Sequence, residues 1–336
     1  MALGTVALLG SGETGPGMTK VHRALFSQVG AQSGVALNTP YGFQANVDQM
    51  TDKILTYFDV SLQADLTPLD LRSVAKASPE AIARFKHAVA TAPYVFSGPG
   101  SPSYALHQWE QIGLDQDLTA VVVNGGALCF SSAAALTLGA TTIPVYEIYK
   151  AGAEATWLPG LNVLANFGLH CAVIPHFNNA EGGTYDTSRC YIGEARLQEL
   201  EAMLPAGTGV LGIDEHTAAV IDFDARTLTV SGKGDVTWRK AGSHVVFHAG
   251  DTVSLDDLGA ATAPVPVVAP VEAPEDTVSA AELAVRDARD QAMVAAIDQI
   301  RSAARAEGNY AIADGLRDAL AAFGVAVRDS AIAPKA

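Results

Sequence analysis

The chain has 336 residues, 49% of them hydrophobic and 17% charged, with a net charge of −15. That is enough apolar material for one sizeable domain with something appended, and the acidity excludes non-specific binding to nucleic acid or to an anionic membrane surface. Cys129, Cys171 and Cys190 form neither a disulfide framework nor a zinc knuckle, no apolar run is long enough to span a bilayer, and MALGTVALLGSGE lacks the basic start of a signal peptide, so a cytoplasmic location is expected.

In chain order, short apolar runs alternate with helix-like stretches. Strands are predicted at 6–9, 35–37, 94–96, 127–130, 172–174 and 209–213, and helices at 20–29, 47–58, 79–90, 104–112 and 194–204. The strands are near-continuously apolar, as parallel strands buried on both faces should be. The pattern therefore predicts an α/β fold, a mostly parallel sheet flanked by helices. The Gly-rich loop LLGSGETGPGM after the first strand has neither GxGxxG nor GK[ST], and no nucleotide site is predicted there. From Ala218 the residues alternate polar and apolar, which predicts antiparallel hairpins closing the domain at about residue 259. Residues 260–277, rich in Ala, Pro and Val, read as a linker.

Residues 278–330 read as a helical hairpin. Ser279 and Glu282 form a capping box, Gly308–Asn309 breaks the first helix, and the second runs over 310–323 to a C-cap at Gly324. Leu283, Ile297, Ile300, Ile312, Leu316, Leu320 and Phe323 supply its apolar face.

The chemistry centres on 127–138, ALCFSSAAALTL, a strand, a turn and a helix with small residues around Ser132. A nucleophile at such an elbow needs small neighbours because the backbone bends sharply there. A strand running into an Ala-rich helix capped by Ser132 has the same spacing. A hydroxyl is inert without a base. His176, in VIPHFNNAEGG, follows a predicted strand at the edge where α/β sheets bind ligands, and His216 is its competitor. The base needs an acid: Glu147 lies fifteen residues after Ser132, with Glu215 and Asp186 as alternatives and Lys150 as a partner in a plain ion pair. In FSGPGSPSYAL the amides of Gly98 or Gly100 suit an oxyanion hole, or a turn without chemistry. Cys129 also fits a small–x–Cys–x–small elbow three residues earlier, as an alternative, amidotransferase-like nucleophile.

Taken in order, these pieces resemble the serine peptidase family of dipeptidase E and cyanophycinase, within the class I glutamine amidotransferase-like fold. The resemblance covers residues 3–250 and rests on Ser132-Ala133-Ala134-Ala135, Pro175-His176-Phe177, Arg196-Leu197, Asp214-Glu215-His216-Thr217-Ala218 and the loop 97–102. It implies a serine-type hydrolase of peptide or isopeptide bonds that uses no cofactor or metal. Ser132, His176 and Glu147 would be catalytic, Gly100 and Ala133 would form the oxyanion hole, and Ser101, Asn178 and Arg189 would bind substrate. Ala134 stands where the family elbow has Gly, Ile174 where cyanophycinases often have Asp, and Arg189 is the nearest remnant of an Arg-rich segment. These departures bear on substrate more than on reaction type. Residues 304–329 resemble the C-terminal end of cysteinyl-tRNA synthetases and read as a docking or assembly module.

A small peptide or amide is the expected substrate, with a homodimer and a partner docked on the hairpin as further expectations; nucleic acid and membrane are not expected partners. The altered elbow also suits a catalytically silent, partner-regulated binding protein. In that case Ser132, His176 and Glu147 would lie out of mutual hydrogen-bond reach.

Overall fold

The apolar runs end where small or polar residues turn the chain. In a computed structural model of the protein, which describes residues 2–268, 295–297 and 299–322, β1 (Thr5–Leu9), β4 (Tyr94–Ser97) and β5 (Ala127–Ser131) are buried at every position. They form a large sheet with β2 (Ser33–Leu37), β3 (Asp65–Leu69), β10 (Thr217–Asp222), β11 (Thr227–Gly232) and β14 (Thr252–Ser254), in the order β14-β11-β10-β1-β5-β4-β2-β3. The strands from β1 to β3 are parallel to their neighbours, while β10, β11 and β14 extend the sheet antiparallel.

β8 (Cys171–Ile174) and β9 (Gly209–Ile213), expected in the same parallel sheet, pair instead with each other and, through β9, with β12 (Val236–Lys240) and β13 (Ser243–Phe247) in a second sheet. The chain leaves β9 and enters β10 through Asp214, Glu215 and His216, so these residues cross from one sheet to the other. A two-residue ribbon, β6 (Thr141–Thr142) with β7 (Leu158–Pro159), completes the strands.

Helices cover the sheets: α1 (Thr19–Val29), α2 (Val47–Tyr57), α3 (Pro79–Thr91), α4 (Pro102–Glu110), α5 (Leu114–Val123), α6 (Ala133–Thr137), α7 (Val145–Tyr149) and α8 (Glu194–Ala202). α4 starts two residues earlier than predicted because Ser101 caps it, its hydroxyl accepting from the Tyr104 amide at 3.2 Å, with Pro102 in the first turn. Period-two alternation splits β5 between two cores. Leu128 and Phe130 pack on one side with Trp109 and Leu138, and Ala127 and Cys129 on the other with Phe58, Tyr94 and Phe96. Burying Leu128 or Phe130 contributes about 1.5–3 kcal/mol each.

The chain divides into two compact units, Met1–Pro274 and Glu275–Ala336. In the second, residues 299–306 are helical, Gly308 takes φ 78°, and a helix spans Tyr310–Ala322. The predicted apolar face is not buried at Ile300 (59% exposed) or Ile312 (51%). Ser279, Glu282, Leu283, Phe323 and Gly324 lie outside the described residues, as do residues 269–277 of the predicted linker. Among the described residues no helix is long and apolar enough to cross a membrane.

Candidate active site

Ser132 alone joins β5 to α6, with φ 51° and ψ −122°. A non-glycine residue held there costs about 1–3 kcal/mol and persists only where its surroundings enforce it. The Ser132 amide donates to the Leu9 carbonyl at 3.1 Å, continuing the β1–β5 register in which Ser131 faces Leu9. One residue back, the Ser131 hydroxyl donates to Glu13 Oε2 at 2.9 Å. The strained position is thus the serine itself. Ala134, helical and fully buried, has no need of a glycine's freedom, so the bend is made without a glycine at that position.

His176 leaves the end of β8 with φ 49°. Its Nε2 is 2.9 Å from Ser132 Oγ, and its Nδ1 is 2.9 Å from Glu215 Oε1. A carboxylate only accepts, so Nδ1 carries the proton, Nε2 is left as an acceptor, and the serine hydroxyl donates to it. Asn179 Nδ2 donates to the same Glu215 oxygen at 3.0 Å. Burial is the largest influence on Glu215 and opposes its ionisation. The hydrogen bonds from Asn179 and His176 lead the effects that outweigh it and hold the carboxyl below its ordinary range. Serine, histidine and carboxylate come from three different strand ends, β5, β8 and β9.

Three successive residues, from the last of β1 onward, set their register. Leu9 O accepts from Ser132 N (3.1 Å), Gly10 O from His176 N (3.2 Å) and Ser11 Oγ from His216 N (3.1 Å). Gly10 is required at this crossing, since a Cβ there would sit 1.9 Å from the Asp214 carbonyl oxygen.

The other predicted residues are distributed as follows. Glu147, the predicted acid, is not at His176: it stands in the first turn of α7, and its Oε1 accepts from Ser103 Oγ at 2.6 Å. A run of fifteen residues through α6 and β6 carries it away from the end of β9, where the imidazole's partner arises. Asp186 accepts from Ser188 and from the Glu194 amide that opens α8. His216 is exposed and points its backbone, not its ring, into the Ser11 contact. Ser101 is the α4 cap rather than a lining residue of the cavity beside Ser132. Asn178 accepts the Glu215 amide at 2.8 Å, and so supports the acid. The Arg189 guanidinium is held by Glu194 (2.7 Å) and the Phe177 carbonyl (2.8 Å), stacked over the Phe177 ring. Burial opposes the Glu194 charge, but Arg239 and Arg189 bring its carboxyl down to about 2. Cys129 is fully buried inside β5, where burial pushes its thiol up to about 12, so no nucleophilic thiolate is available there at neutral pH. Asn179, unnamed by the sequence reading, sits in the His176 turn, and the Asn-Asn pair directly after Pro-His-Phe was the signal for it.

Ser132, His176, Gly100 and Ala133 line one cavity of about 410 Å³. Gly100 takes φ 146°, and a Cβ there would lie 2.1 Å from the Pro40 carbonyl oxygen, so this wall of the cavity needs glycine. The expectation for a silent protein, with Ser132, His176 and Glu147 out of mutual reach, fails for the serine and histidine, which are 2.9 Å apart, and holds for Glu147, whose carboxylate bonds Ser103 and neither of the other two.

No protein-family model and no curated protein matches the sequence. Among solved structures, the fold is similar to that of a peptidase from an acI-B1 Actinobacterium, with 20% identity and a TM-score of 0.61, over 75% of this chain and 97% of that one. A "Putative Peptidase E Protein" from Listeria monocytogenes EGD-e aligns with 13% identity and a TM-score of 0.45, over 74% of this chain and all of that one. The first of these likenesses establishes the shared fold; the chemistry has to be argued from the site.

Proposed function

We propose that this protein is a serine-type hydrolase that cleaves a peptide or isopeptide bond by acyl transfer. The observation that carries the reading is the unbroken chain Ser132 Oγ to His176 Nε2 to Glu215 Oε1, each step 2.9 Å, opening on a cavity. Ser132 Oγ attacks the carbonyl carbon while its proton passes to His176 Nε2. The oxyanion is met by the amides of Gly100 and Ala133. Collapse of the tetrahedral intermediate breaks the C–N bond, and the departing amine takes the proton from Nε2. Water then attacks the acyl-enzyme, giving one proton to His176, which returns it to Ser132 as the carboxylic acid leaves. Glu215 holds the tautomer and stabilises the imidazolium, with Asn179 and Asn178 fixing the carboxylate and its backbone.

The test is covalent. A fluorophosphonate should label the wild-type chain at Ser132, and Ser132→Ala should abolish both labelling and hydrolysis of a peptide library. Labelling that survives in Ser132→Ala sinks the assignment.

A further inference from the structure

The cavity beside Ser132 has a composition that selects among amide substrates. Its floor is Leu136, Val145 and Cys190, which are 1%, 4% and 3% exposed. Its wall is aromatic and begins at the catalytic imidazole: His176 and Tyr191 have ring centroids 5.6 Å apart, and Tyr191 and Tyr149 5.5 Å. Burial, and then Glu181, push the Tyr191 hydroxyl up to about 12, so that wall is neutral. The charged lining residues are Lys150 and Glu181, both exposed and opposite in sign, and the Lys150 ammonium lies 4.4 Å from the centroid of the Tyr149 ring. Arg189, the cation expected to read an acidic substrate, is engaged with Glu194 and the Phe177 carbonyl, outside the lining. A substrate carboxylate entering this space would lose water against an apolar floor with no buried cation to replace it. An aromatic ring would meet rings at ordinary packing distances, and about 410 Å³ is room for one.

Resting on the acyl-transfer reading above, we propose that this cavity takes the side chain on the acyl side of the scissile bond and selects a large apolar or aromatic one, not an acidic one. The enzyme then cleaves after residues such as Phe or Leu.

Diphenyl aminoalkylphosphonates carrying Phe, Leu or Asp side chains test this on the full chain. Ser132 Oγ forms a bond to phosphorus, and one phenoxide leaves as phenol with the serine proton. The Phe and Leu probes should inactivate at least about tenfold faster than the Asp probe. In Tyr149→Ala, the Phe-probe rate divided by the side-chain-free fluorophosphonate rate should drop about two- to tenfold, and Tyr149→Phe should restore it. Dividing by the fluorophosphonate rate removes any general loss of folded enzyme. An Asp probe as fast as the Phe probe, or an Asp rate that collapses in Lys150→Met, overturns the proposal while leaving a labelled Ser132, and hence the acyl-transfer reading, standing. If the fluorophosphonate fails to label Ser132, both fall together.

Discussion

β5 and the residue that follows it place two nucleophile-type side chains, Cys129 and Ser132, each beside a histidine, and the two neighbourhoods differ in everything else. At the end of the strand, Ser132 faces His176, which has a carboxylate behind it and a cavity in front. Within the strand, Cys129 Sγ lies 3.6 Å from His22 Nδ1, but His22 is closed in by the Tyr94 hydroxyl at 2.8 Å and the Glu13 carbonyl at 2.7 Å. Burial lowers the His22 pKa to about 4, against the weaker opposing effect of the Glu13 carbonyl, and raises the Cys129 thiol to about 12. Proximity of a nucleophile and an imidazole is common to both places. Stabilisation of the charges that must develop belongs to one, and that is what separates a site from a core.

The contrast can be broken at several points. The largest expected effect is from Ser132→Ala, which should lower kcat at least about 10³-fold, read by steady-state hydrolysis of the best substrate. Next is Glu215→Gln, which keeps the shape but reverses the tautomer preference. It should lower kcat about 10²–10⁴-fold with KM little changed. At Cys129, iodoacetamide should modify the native thiol about 100-fold or more slower than the urea-unfolded chain, followed by mass spectrometry; fast native modification would put the thiol back in contention. His22 should show itself in stability. Its folded pKa lies below the unfolded value, so between pH 6.5 and about 4 the unfolded chain binds the extra proton. Stability is whole above that window and falls by about 3 kcal/mol as pH drops through it, a slope in urea midpoints that His22→Gln should flatten. The smallest effect is at Glu147→Gln, where kcat should stay within about twofold, because its carboxylate answers Ser103 and not the imidazole.

Strands buried on both faces were legible in the sequence because their apolar runs are uninterrupted; β9 begins and ends as predicted, and β1, β4 and β5 differ by one residue at an end. β3 was not, since DLTPL is polar and holds a proline, features an edge strand tolerates. α5 was missed because LDQDLTAVVV ends in β-branched residues whose helicity is decided by packing against α3 and β5. That two of the strands belong to a second sheet is a matter of pairing, on which local hydrophobicity is silent. The same gap explains the acid. Ser132 and His176 sit in local patterns that mark strand ends, whereas the choice between Glu147 and Glu215 depends on which strand lies beside β8, a long-range fact.

Leu9, Gly10 and Ser11 accept one bond each from the chain segments bearing the serine, the histidine and the carboxylate. One of those segments belongs to the large sheet, one to the small sheet and one to the passage between them. A chain whose two sheets have formed but not met would own every residue of the site and possess no site. On the proposed acyl-transfer reading, turnover therefore counts finished molecules. The specific activity of a refolding sample should lag behind its circular dichroism, which registers strands in either sheet, and the interval between the two traces measures how long the sheets take to find each other.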